Sequence, residues 1–167
     1  MGRMKTFGKY LLLLVAFYIV SSIMAFFAIK TTYADMSGNI ATDEYLQINV
    51  DEAKSTMVNG YVTGTLKNKT EQEINSKYVK IEFYSAKKNK ILTEYIKIDE
   101  LAVGESKKFT VNFRGENIKS FNVIVTGEYS NEESEMHLIN LKDAENEPIK
   151  KISIFLAAAI LIKYFIL

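Results

Sequence analysis

"YVKIEFYS", Tyr78 to Ser85, sets Val79, Ile81 and Phe83 on one side of an extended chain and Lys80, Glu82 and Tyr84 on the other. Side chains of a strand alternate between two faces, whereas the same spacing on a helix would scatter the apolar residues around its circumference. The stretch therefore predicts a strand with one buried face. The pattern recurs on both sides of it. Upstream, Leu46, Ile48 and Val50 share a face in "LQINV", and Val58, Gly60, Val62, Gly64 and Leu66 share one opposite Tyr61, Thr63 and Thr65. Downstream, "ILTEYIKI" places Leu92, Glu94, Ile96 and Ile98 on one face and Ile91, Thr93, Tyr95 and Lys97 on the other, so that both faces are expected to be partly covered. Phe109, Val111 and Phe113, then Phe121, Val123 and Val125, continue the alternation, and "EMHLINL" is a weaker last run. Polar, turn-forming segments separate the runs: "KNKTEQEIN", "AKKNK" and "DELAVGES". Short strands rich in Val, Ile, Phe, Tyr and Thr, with no proline among them, predict two packed antiparallel sheets over residues 44–141, an all-β sandwich. Gly60 and Gly64, on one face of one strand, are expected at a bend or where a facing aromatic ring lies close to the backbone.

Within this region, Val58 to Phe113 resembles the FxLYD domain of exported bacterial and archaeal proteins. Ile81-Glu82-Phe83-Tyr84-Ser85 stands at the F-x-L-Y-D motif, and Leu101-Ala102-Val103-Gly104-Glu105-Ser106, followed by Phe109, stands at the L-x-P-G-E-S loop. Ile replaces Phe, Phe replaces Leu and Ser replaces Asp in the first motif; Val103 replaces Pro in the second. The resemblance implies an immunoglobulin-like or fibronectin-like sandwich tethered to the outer face of a membrane, and it brings no catalytic residue with it.

The two ends of the chain are of another kind. Leu11 to Ile29, "LLLLVAFYIVSSIMAFFAI", has no charge, Gly or Pro. At about 1.5 Å per residue it matches a hydrocarbon core of roughly 30 Å and is expected to cross a membrane. Arg3, Lys5 and Lys9 precede it and no acid occurs before Asp35, so the basic flank, residues 1–10, is expected on the cytoplasmic side. Tyr10 and Tyr33 are candidate interfacial anchors. The competing reading is a signal peptide cut after Ala34. At the other end, residues 142–151 read as an acidic-to-basic linker, and 152–167 as an apolar helix that returns across the membrane, with Lys163 and Tyr164 as anchors near its end. An interfacial helix and a helix packed on the sandwich are the alternatives for this tail.

Composition narrows the function. All 20 acidic residues lie between Asp35 and Glu147, a stretch that holds 14 of the 21 Lys and Arg, and the excess is concentrated in Glu128 to Glu147, where seven acids face Lys142 alone. No basic face suited to nucleic acid follows from this. There is no cysteine, hence no disulfide or thiolate. His137 is the single histidine and reads as a solvated or edge-strand residue, since a metal site needs several converging ligands. "NEESE", Asn131 to Glu135, lacks the order of a calcium loop, and Ser106 follows a turn without a nucleophile-elbow pattern. Asp51-Glu52 and Asp99-Glu100 read as turn residues. Lys87, Lys88 and Lys90 form one local basic cluster at a hairpin tip. A solubilising turn is the plain reading there, and an acidic polymer or anionic head group is the partner it would suit. The sequence thus predicts a non-catalytic, cofactor-free binding or assembly module of the cell envelope, whose partners are the lipid bilayer and an envelope protein. A membrane regulator or immunity-type protein acting through its helices on an integral membrane partner is the alternative.

Overall fold

A computed structural model describes residues 2–129 and 136–153. The chain divides into a helical unit, to which α1 (Gly2–Thr32) belongs, and a β unit, Tyr33–Lys151. In the order of the chain the β unit contains β1 (Ala34–Asp35), β2 (Ser37–Ile40), β3 (Leu46–Ser55), β4 (Asn59–Asn68), β5 (Ile74–Ser85), β6 (Lys90–Leu101), β7 (Ser106–Arg114), β8 (Ile118–Thr126), β9 (Met136–Asn140) and α2 (Leu141–Asn146). It is thus wider than the 44–141 anticipated. Residues 34–40 contribute strands, and the expected linker begins as a helix whose Leu141 and Ala144 are buried in the core. The apolar tail expected at 152–167, with Lys163 and Tyr164, lies outside the described residues from 154 onward, as does "NEESE".

Two sheets make up the unit, in the orders β1-β3-β4-β7 and β2-β8-β5-β6-β9. The inward residues of the period-two pattern meet between them. Val62, Leu66, Phe109 and Val111 come from the first sheet, while Val79, Ile81, Ile96 and Val123 come from the second, all of them buried. Phe83 on β5 and Phe113 on β7 bring their ring centroids to 4.1 Å across the core. Burial of aliphatic and aromatic side chains at about 1.5–3 kcal/mol each is the main stabilising term.

Strand direction corrects one expectation. The four-stranded sheet is antiparallel throughout, but the five-stranded sheet is mixed, because its two edges pair in parallel, β2 with β8 and β9 with β6. Neither edge strand is joined to its neighbour by a hairpin. β2 leads into β3 of the other sheet, and β9 follows β8 by a longer connection, the arrangement parallel pairing requires. Alternation has the same period in either direction, so the sequence pattern does not distinguish the two.

Asp51 and Glu52 are not in a turn. They lie in the middle of β3, where the register with β4 skips from Val50 to Glu52. One extra residue in a strand moves the following side chains to the opposite face. After Val50 the inward positions become Ala53 and Ser55, and Ser55 Oγ, buried, donates to Ile118 O at 2.7 Å. Asp99 and Glu100 likewise belong to the last residues of β6 and not to the turn that follows it.

Candidate functional site

The strand registers bring several connections to one pole of the β unit. Asn59 is opposite Arg114, which sets the β3–β4 turn beside the β7–β8 turn, and Ser85 is opposite Ile118, which adds the β5–β6 turn. Ala34 pairs with Ser55, so the chain enters the unit there. It also leaves there. Asn59 Nδ2 donates to Tyr33 Oη at 3.3 Å and to Lys150 O at 3.4 Å, linking the incoming and outgoing segments through one side chain. Its Oδ1 accepts from Thr56 Oγ1 at 2.7 Å, which fixes the amide orientation. Asn112, on β7, holds the outgoing segment a second time. Its Oδ1 accepts from Lys150 N at 2.8 Å and its Nδ2 donates to Pro148 O at 3.0 Å.

Tyr61 lies beside these asparagines, opposite Asn112 in the register of β4 with β7. Its position on β4 faces away from the core, yet it is only 3% exposed, and its ring lies 5.7 Å from that of Tyr33. Burial, with Glu52 nearby, pushes its phenol up to about 12. The Lys54 hydrogen bond holds the Glu52 carboxyl below the usual carboxylate range against a smaller opposing effect of burial. Asn59 and Asn112 were not singled out by sequence reasoning. Asparagine is depleted in strands, but Asn49, Asn75 and Asn122 lie in strands too, so no local signal marks Asn59 and Asn112.

At the β5–β6 turn, Lys88 N donates to Ser85 O at 3.0 Å and Ser85 N donates to Asn89 O at 2.9 Å, closing a three-residue loop of Ala86, Lys87 and Lys88. Lys88 has φ 62°, the left-handed conformation that this loop type reserves for its last residue. Lys87 and Lys88 are exposed at the tip. Lys90 is the member of the basic cluster that turns back, with Nζ 3.6 Å from Glu82 Oε1 on the outer face of the five-stranded sheet. Glu82 also receives Lys80 Nζ at 3.0 Å and the Tyr84 hydroxyl at 2.6 Å. Burial opposes its ionisation, but these donors outweigh burial and hold its carboxyl below the ordinary range.

Glu94 is the one acid that the alternation placed on an inward face, and it is buried there at 3% exposure, opposite Ile81. Burial pushes its carboxyl up to about 8. His137, exposed on the edge strand β9, brings Nδ1 to 3.2 Å from Glu94 Oε1, while Oε2 is buried without a hydrogen-bond partner among the described residues. A protonated Glu94 carboxyl can donate to a neutral imidazole nitrogen at this distance, and a carboxylate can accept from an imidazole N–H. Among the described residues, no three His, Asp or Glu side chains converge as a metal site would need.

Gly60 and Gly64 face aromatic rings. A Cβ at Gly60 would lie 2.2 Å from Phe113 Cζ and 2.4 Å from Lys54 O; at Gly64 it would lie 2.7 Å from Phe109 Cζ and 2.3 Å from Asn49 O. The two glycines thus allow the rings of β7 to lie across β4. In the turn after β6, Glu105 N donates to Ala102 O at 3.1 Å and Gly104 has φ 69°, which defines a type II turn with Val103 at its second position. Glu105 Oε2 accepts from Ala102 N at 2.8 Å and secures the same turn with its side chain.

In α1, the stretch Phe7–Met24 is long and apolar enough to cross a membrane, and its side chains, Tyr10 among them, are exposed almost without exception. Tyr33 does not extend the helix but begins the β unit against Tyr61. Comparison of the sequence with protein-family models gives no match, and comparison with curated proteins gives no significant similarity.

Proposed function

We propose that this protein is a membrane-anchored module of the cell envelope, in which α1 crosses the bilayer and the β unit serves outside the cytoplasm in binding or assembly and not in catalysis. The observation that carries the reading is the eighteen-residue apolar stretch Phe7–Met24, exposed along its length and followed by a β unit with its own core. A run of exposed Leu, Val, Ile, Phe and Met side chains costs far more in water than in lipid, and the basic flank of Arg3, Lys5 and Lys9 orients such a helix with its N-terminus inside. The two-sheet architecture and the type II turn at Leu101–Ser106 support an immunoglobulin-like sandwich of the FxLYD kind. In this reading 152–167 is the returning span of a membrane hairpin; the hydrogen bonds of Asn59 to Tyr33 and Lys150 bring the entry and exit of the β unit together.

Cysteine accessibility tests the reading, because the chain has no cysteine of its own. In intact cells a membrane-impermeant maleimide is expected to label Gln72→Cys, in an exposed turn, and to leave Lys5→Cys unlabelled until the cells are permeabilised. Labelling of Gln72→Cys only after permeabilisation would overturn the topology. Exchange of α1 for an unrelated span then separates module from regulator. Retained function assigns the work to the β unit, and lost function with retained membrane insertion assigns it to the helix.

A further inference from the structure

Charge is divided between the two poles of the β unit. At the pole where the chain enters and leaves, Lys87, Lys88, Arg114, Lys119 and Lys151 are exposed and form no ion pair among the described residues, whereas the exposed acids without an ion pair on that side are, among the described residues, Glu116 and Glu145. Two further acids on that side are paired, the exposed Asp35 with Lys54 and the half-buried Glu147 with Lys150. At the opposite pole, where Leu46 pairs with Asn68, Lys67 with Ser106 and Ile74 with Leu101, the exposed Glu44, Glu71, Glu73, Glu100 and Glu128 lack ion pairs among the described residues. Lys67, Lys69 and Lys108 are exposed toward that end as well and offset part of its acidic excess. Among the described residues, the unpaired exposed cations thus gather at the pole where the chain enters and leaves the β unit, and the unpaired exposed acids mainly at the other. None of this follows from the near-zero net charge, because the five cations are spread over the sequence from residue 87 to 151 and only the strand registers bring them to one end.

Lys88 adds a second, independent observation. Its φ of 62° is a conformation that costs a side-chain-bearing residue stability and that glycine or asparagine adopts at little cost. A lysine is held at the exposed tip of the hairpin although the turn itself favours another residue.

We propose that this pole is an electrostatic docking surface for anionic phospholipid head groups, centred on Lys87 and Lys88, which holds the β unit against the leaflet from which α1 emerges and turns its acidic pole outward. The proposal rests on the reading of α1 as a membrane span. Tyr33 follows directly on the last residue of α1, so this pole is the one joined through the chain to the span. An array of exposed ammonium and guanidinium groups is attracted to an anionic surface within about a Debye length, ~10 Å at 0.1 M salt. Phosphate oxygens also match the N–H donors that Arg114 and the lysines present to solvent.

The test uses the full chain with one introduced cysteine, Ala86→Cys at the basic pole or Gln72→Cys at the acidic pole, carrying an environment-sensitive fluorophore. Each variant is reconstituted into vesicles containing head-group nitroxide quencher, either in phosphatidylcholine alone or with about 30 mol % phosphatidylglycerol. In the anionic vesicles the label at 86 is expected to be quenched at least about twofold more than the label at 72. The excess is expected to vanish at about 1 M salt, where the Debye length is ~3 Å, and in the Lys87→Glu/Lys88→Glu variant. Equal quenching in neutral and anionic vesicles, or at both positions, overturns the proposal. So does a response of the label at 86 to soluble polyphosphate without one to phosphatidylglycerol, which would assign the pole to a polyanion. Flotation with the vesicles after an alkaline wash is read in parallel. Floating protein without head-group contact defeats the docking surface alone, and protein that fails to float defeats the membrane anchor and the docking surface together.

Discussion

Glu94 shows how a single residue departs from the rule its neighbours obey. Leu92, Ile96 and Ile98 share its face and are core residues, and the alternation alone set the carboxyl among them. What the pattern did not contain was the consequence. With no buried Lys or Arg among the described residues to compensate it, the carboxylate is penalised by burial and its proton is retained to about pH 8. The folded state binds a proton that the unfolded chain, with an ordinary glutamate near 4.5, has released, so stability falls as pH rises between these values and is level above about 8. Glu94→Gln removes the titration. In detergent-solubilised protein followed by thermal unfolding, the variant is expected to match the parent near pH 5 and to exceed it by about 2–4 kcal/mol near pH 9, since each tenfold difference in proton affinity between the folded and unfolded chain is worth roughly 1.4 kcal/mol. A parent whose stability is flat across that range would show Glu94 to be ionised in the folded state. At Gly64 the constraint is space. A methyl group would meet Asn49 O at 2.3 Å, an atom of the neighbouring strand that cannot move aside alone. Gly64→Ala is therefore expected to lower stability by about 1–3 kcal/mol in the same measurement, as overpacking does.

Elements were legible to different degrees. The hairpins β3–β4 and β5–β6 and the strands β7 and β8 follow from period-two patterning, which is local and needs no knowledge of what the strand packs against. The edge strands β1 and β2 carry four or fewer residues with every position exposed, so no alternation marks them. The segment 142–151 read as a linker because six helical residues are too few to show a period, and it is the burial of Leu141 and Ala144 that stabilises α2. The turn at Leu101–Ser106 yields a prediction at this scale. Val103 occupies the second position of a type II turn, where proline is favoured, and its N–H has no partner among the described residues. Val103→Pro is expected to raise stability by about 0.4–1 kcal/mol, mainly by restricting the unfolded chain, read as a rise of the unfolding midpoint. A lower midpoint would show that Val103 does not hold the φ near −65° that proline requires.

Across the whole molecule, one core joins the two sheets, and the contact of Phe83 with Phe113 spans it. Phe83→Ala removes a fully buried ring and is expected to cost about 3–5 kcal/mol, with amide exchange accelerating together in β4 and β7 of one sheet and β5 and β8 of the other. Acceleration confined to the five-stranded sheet would mean that the sheets unfold separately. The sequence by itself determined the strand-forming middle, its inward-facing residues, the place of Glu94 and the apolar character of the first helix, because alternation and hydrophobic length are properties of consecutive residues. Only the tertiary structure decided which strands are neighbours and in which direction. From that came the parallel edges, the bulge at Asp51, the meeting at Asn59 of the segments that enter and leave the β unit, and the assembly of Lys87, Lys88, Arg114, Lys119 and Lys151 at one pole. Hydrogen-bond pairing between strands joins residues far apart in the chain, and no local pattern records its partner or its sense.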